Sequence, residues 1–112
     1  MMIQYQYRKF AVLLLSVVFL GGCAGTRHGA ANITSVPAGA EVINMDDDTL
    51  LGVTPVKVWW SEPGARRKFV NIRLHKKGFR DKTTFFWLSL RHSDKKSAMQ
   101  DPQLVKVRMS DK

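Results

Sequence analysis

From Asn32 onward, apolar and polar residues alternate in short runs separated by turn residues. A period of two marks half-buried strands rather than helices. The clearest run is Lys68 to His75, where Val70, Ile72 and Leu74 alternate with Asn71, Arg73 and His75. Arg80 to Leu90 predicts a longer strand with Phe86, Leu88 and Leu90 on one face and Phe85 and Trp87 on the other. Val56, Val58 and Trp60 share a face opposite Lys57 and Trp59, and Val105, Val107 and Met109 share one opposite Lys106 and Arg108. Shorter strands are predicted at Asn32–Val36, Ala40–Met45 and Leu50–Val53. Between them stand turn signals: Pro37-Ala38-Gly39, Asp46-Asp47-Asp48, Glu62-Pro63-Gly64-Ala65 and Lys76-Lys77-Gly78. Gly64 and Gly78 are the places where those turns need a left-handed residue. Arg91 to Pro102 is polar and is expected as a loop. No stretch keeps helical spacing over a useful length. The pattern predicts an all-β fold, a small β-sandwich of six to seven short strands.

The first 31 residues follow a different rule. Arg8 and Lys9 precede an apolar run, Ala11 to Leu20, and small residues then lead to Cys23. Positive start, apolar middle and small-residue end form the layout of a secretory signal. As a helix the run spans only about 15 Å, and a membrane-crossing helix needs roughly 20 apolar residues. The cations hold that end in the cytoplasm while the rest crosses. Cys23 is the sole cysteine, so no disulfide can form within the chain. On residue type alone it is a free or buried thiol, and the signal alone is equally that of a soluble exported protein.

Leu20-Gly21-Gly22-Cys23 resembles the lipobox of bacterial lipoprotein precursors. The resemblance implies cleavage before Cys23, a diacylglyceryl group on its thiol and acylation of the new amino group. It divides the chain into a signal peptide (1–22), a lipidated tether (23–31) and a β-domain (32–112). Each buried methylene contributes about 0.8 kcal/mol, so several acyl chains on one residue make a lasting membrane anchor. Ala24 follows the cysteine where an Asp would mark inner-membrane retention. The resemblance thus implies an outer-membrane protein facing the periplasm.

Charge narrows the partners. The chain carries 18 Lys+Arg against 9 Asp+Glu, a net charge of +9 that becomes +7 without Arg8 and Lys9. A basic surface favours anionic partners such as lipid head groups or acidic polysaccharides. The cations are dispersed, with Arg66-Arg67-Lys68, Lys76-Lys77 and Lys95-Lys96 at turns or in the loop. Dispersal and export both count against nucleic acid. Without a disulfide, the fold depends on apolar burial in a core near the lower workable size.

Three blocks resemble PEGA domains: Ile33-Thr34-Ser35-Val36-Pro37-Ala38-Gly39-Ala40-Glu41-Val42, Leu51-Gly52-Val53-Thr54-Pro55-Val56 and Lys76-Lys77-Gly78-Phe79-Arg80-Asp81. They correspond to the family's opening turn, its Gly-x-Thr-Pro step and its basic-Gly-aromatic turn. The resemblance implies a compact β-sandwich of the kind found in surface and envelope proteins, with no shared catalytic activity and no cofactor.

No catalytic constellation emerges from the residues. Asp46, Asp47 and Asp48 lack the spaced ligands of a calcium loop. His28, His75 and His92 lack metal-ligand spacing, and Ser61-Glu62 and Ser93-Asp94 lack a positioned histidine. The aromatic residues are more informative. Trp59, Phe69, Phe85 and Trp87 all fall on the faces opposite the predicted core, with Lys57 and Arg73 among them. They are expected either to form one binding patch or to lie under the Arg91–Pro102 loop or the tether. The expected function is a membrane-anchored envelope lipoprotein, not an enzyme, whose β-domain binds an envelope protein or anionic polysaccharide. The alternative is a structural subunit docked into a larger envelope assembly.

Overall fold

A computed structural model describes residues 25–112. Among the described residues, the alternation condenses into seven strands and one short helix: β1 (Thr26–Val36), β2 (Glu41–Asn44), β3 (Leu50–Val53), β4 (Val56–Pro63), β5 (Arg67–His75), β6 (Lys82–Ser89), α1 (Lys95–Gln100) and β7 (Gln103–Arg108). The strands form two sheets, in the orders β4-β1-β7 and β3-β2-β5-β6. The sheets pack face to face as an all-β sandwich. β1 is antiparallel to β4 and parallel to β7, and every pairing in the four-stranded sheet is antiparallel.

The core is the set of inward positions that the period of two predicts. Val70, Ile72 and Leu74 of β5 meet Leu88 and Leu90 from β6 and its end, Val42 of β2, and Ile33 of β1, all buried. Val107 and Met109 close the β7 side, and Val56, Val58, Trp60 and Phe86 pack against the same cluster. Trp60 meets Phe86 edge-on at 6.4 Å between ring centroids. Burying one such side chain stabilises the fold by roughly 1.5–3 kcal/mol.

One buried polar knot joins the two sheets. The Thr54 hydroxyl accepts the Gly39 and Ala40 N–H groups at 3.1 and 3.0 Å and bonds to the Ser35 hydroxyl. Ser35 in turn donates to the Pro37 carbonyl at 2.8 Å. Both hydroxyl residues are buried, and their bonds satisfy backbone that no strand pairs. Gly64 (φ 70°) and Gly78 (φ 88°) take the left-handed conformation their turns require.

Two boundaries differ from the sequence expectation. The tether expected to run through residue 31 is strand from Thr26 onward: β1 pairs with β4 from Thr26↔Pro63 to Ile33↔Val56. Its small residues serve packing rather than flexibility. A Cβ on Gly29 would fall on the Ser89 carbonyl oxygen and lie 2.9 Å from the Leu90 side chain. Ala31 enters the core, and Ala30 is buried on the other face. The second difference is α1, inside the expected loop. Asp94 caps it by accepting the Ser97 N–H at 2.7 Å, which meets the helix's need for a partner at its first turn. α1 packs on β1 and β4, and Ala98 is its buried contact. No helix among the described residues is long and apolar enough to cross a membrane.

Candidate functional site

The outward side of the four-stranded sheet holds the exposed aromatics. Cross-strand register sets Phe69 opposite Trp87 and Asn71 opposite Phe85. Phe69 lies 5.4 Å from Phe85 and 5.2 Å from Trp87 between ring centroids, with interplanar angles of 39° and 61°. Phe69, Phe85 and Trp87 are 44%, 66% and 53% exposed. The Arg67 guanidinium sits 4.6 Å above the Trp87 ring, close enough for a cation–π contact. Arg73 shares this face beyond Asn71, with its Nε 4.0 Å from Asp81 Oδ2. Asn71 Oδ1 and Arg73 Nε are both shielded from solvent without a hydrogen-bond partner. His75 Nδ1 lies 2.7 Å from Asp81 Oδ1, and that hydrogen bond holds the Asp81 carboxyl below its ordinary pKa.

Trp59 and Lys57 stand elsewhere. They are on β4, in the other sheet, beneath α1. The Trp59 indole Nε1–H donates to His28 Nδ1 at 3.1 Å, with the two rings only 12° from parallel. Lys95 Nζ of α1 lies 4.9 Å from the centre of the Trp59 ring, and Lys57 Nζ donates to the Met99 carbonyl at 3.0 Å. The expected single patch therefore divides. Phe69, Phe85, Trp87 and Arg73 share one surface, whereas half-buried Trp59 and exposed Lys57 belong to the opposite side, which α1 partly covers. The sandwich itself forces this, because β4 and β6 lie in different sheets.

Three contributors were not anticipated. Arg67 is in phase with Phe69 along β5, so alternation alone could have placed it. His28, assigned to the tether, instead orients Trp59. Gln103 carries no sequence signal: its Nε2 donates to the Trp87 carbonyl at 2.9 Å and its Oε1 accepts the Ser89 N–H at 3.3 Å. That side chain closes the free edge of β6 behind Trp87, which holds the tryptophan's backbone in place.

Other polar groups spread out rather than converge. Asp47 turns back on Thr49, accepting its hydroxyl at 2.7 Å and its N–H at 3.1 Å, and these bonds lower its pKa. Among the described residues, no three His, Cys, Asp or Glu side chains are grouped to hold a metal ion. Cys23 lies outside the described residues. No family model, no curated protein and no solved structure matches the chain.

Proposed function

We propose that this chain is a non-catalytic lipoprotein of the cell envelope, anchored at Cys23 and carrying a PEGA-like β-sandwich that binds a partner protein. The binding surface is the outer face of the four-stranded sheet. The observation that carries the reading is the set of three neighbouring aromatics, Phe69, Phe85 and Trp87, each at least 44% exposed on one face. Contiguous exposed apolar surface on a small domain marks an interaction site. Aromatics flanked by arginine are the residue types enriched where proteins meet. The rings favour a protein over a polysaccharide. A sugar ring stacks on one flat platform, but these rings are inclined to each other by 39° and 61°. The lipobox resemblance supports an anchor that places this face at an envelope membrane, the outer membrane by virtue of Ala24.

Crosslinking and recovery from membranes test the binding face. Phe85→Ser with Trp87→Ala is expected to remove the partner, while Trp59→Ala leaves it in place. Equal recovery from all variants, or recovery of polysaccharide in place of protein, overturns the reading. Intact mass of the membrane-extracted protein tests the anchor. Cleavage before Cys23 with added acyl mass is expected, and an uncut chain with a free thiol refutes it.

A further inference from the structure

β1 begins at Thr26, three residues after Cys23. A chain covers at most about 3.6 Å per residue. The Cys23 Cα therefore lies within about 11 Å of the Thr26 Cα, whatever path joins them. If Cys23 carries lipid, as proposed above, the end of the sandwich where β1 begins must lie at the bilayer surface. The β4–β5 turn meets the same end through Thr26↔Pro63, and the end of β6 meets it through the reciprocal backbone bonds between His28 and His92 at 2.9 and 3.1 Å.

That end contains a cleft of about 250 Å³ lined by Gly25, Thr26, Arg27, Arg91, His92 and Ser93. Its size is below the roughly 300–1,000 Å³ of sites that enclose whole small molecules. Its donors suit an oxyanion: two guanidiniums and two hydroxyls. Arg27 has no carboxylate within ion-pair distance among the described residues, since Glu62, its neighbour across the strand pair, is bound to Lys68 at 2.7 Å. Arg91 pairs with Asp101 at 3.0 Å, an exposed contact that leaves further guanidinium donors. His92 Nε2 lies 3.4 Å from the same carboxylate without hydrogen-bond alignment and has no other partner. Arg66 and Arg67 follow the adjoining turn and add to the local positive field. Charge alone does not select this end, because Lys76, Lys77, Arg80 and Lys82 make the far end basic as well. The covalent reach from Cys23 and the cleft coincide only here.

We infer that this cleft seats the phosphate of an anionic phospholipid, with Arg27 and Arg91 as its principal ligands. The anchor then fixes distance and the head-group contact fixes tilt, so that the sandwich stands on this end. The aromatic sheet face is left pointing along the membrane rather than into it.

The test uses full-length lipidated protein in nanodiscs of phosphatidylglycerol or of phosphatidylcholine, read by amide hydrogen exchange. Exchange at Thr26–His28 and Arg91–Ser93 is expected to slow about tenfold in the anionic discs relative to the neutral ones. Arg27→Gln with Arg91→Gln should abolish the difference, while Lys76→Gln with Lys77→Gln, an equal loss of charge, should preserve it. Equal exchange in both lipids, or equal sensitivity to the two variant pairs, overturns the inference. Free glycerol phosphate giving the same protection in neutral discs would assign the cleft to a soluble phosphate and overturn the lipid source. Intact mass of the same preparation separates the two ideas. Acyl mass without lipid-dependent protection sinks the cleft alone, and protection without acyl mass sinks the anchor alone.

Discussion

The two outer faces of this sandwich begin from the same sequence signal and end differently. On β4, Trp59 alternates out of phase with the core, and on β6 so do Phe85 and Trp87. Trp59 is half-buried: α1 packs on its strand, His28 accepts its indole N–H, and Lys95 approaches its ring. Phe85 and Trp87 keep more than half of their surface in solvent. The difference does not come from the strands. It comes from the segment between β6 and β7, which crosses to the three-stranded sheet and folds there as α1. A strand pattern reports only that a residue faces away from the core. What lies on that side is decided by chain that is distant in sequence. The contrast also teaches which face is available. A domain that covers one aromatic face with its own helix and leaves the other bare has a surface left for something else.

The hardest way to break the contrast is to uncover the covered face. Ala98 is fully buried beneath α1. Ala98→Glu would set an unpaired carboxylate against β1 and is expected to cost about 3 kcal/mol. Urea melts should show the loss, and the Trp59 indole N–H should exchange rapidly. A variant as stable as the parent would mean that α1 does not serve as cover.

A milder comparison treats one tryptophan from each face alike. Trp59→Phe removes the donor to His28 and is expected to cost about 1 kcal/mol. Trp87→Phe removes no such bond and should shift stability by less than about 0.5 kcal/mol, yet weaken partner recovery. Equal costs at the two positions would erase the distinction between a structural tryptophan and a displayed one.

The strands were legible because alternation is local physics. Val70, Ile72 and Leu74 must share a side once β5 forms, and so must Leu88 with Leu90. Trp59 shows where that reasoning stops. Its outward direction was readable, but α1 was not, because six residues with a single buried alanine give no helical stripe. The start of β1 was hidden for another reason. Thr26 to Ala31 has the composition of a flexible linker, and only the close approach to Ser89 and Leu90 reveals that its glycine and alanines are packing residues. Phe69, Phe85 and Trp87 were readable as a set because they lie on adjacent strands of one hairpin. The division of the patch follows from which sheet β4 and β6 each join, and the role of Gln103 exists only where the folded chain brings it to the edge of β6.

The smallest expected effect is the most selective, because it loosens the cover without touching an aromatic residue. Asp94 caps α1 through its carboxylate, and the hydrogen bonds from the Ser97 backbone and side chain hold its pKa below the ordinary value. A depressed carboxyl pKa means that the unfolded chain binds the proton more readily than the folded one. The stabilisation is therefore complete above the ordinary carboxylate range, about pH 4 and higher, and is lost as pH falls through the lowered folded value. Acidification should loosen α1 before the sandwich melts, because α1 depends on one cap and one buried alanine while the sheets share a continuous core. Proton NMR of the Trp59 indole N–H gives the readout: its exchange should accelerate in that acid window while core β5 amides stay protected. Asp94→Asn keeps a capping side chain but removes the titration, so its indole exchange should follow the ordinary pH trend without the added step. Aspartates 47 and 81 also have lowered pKa values, but neither touches α1, so replacing them should leave the step intact. If the step survives in Asp94→Asn, the cap is not what holds the covered face closed, and the asymmetry between the two faces rests on the Trp59–His28 contact and the Ala98 seat alone.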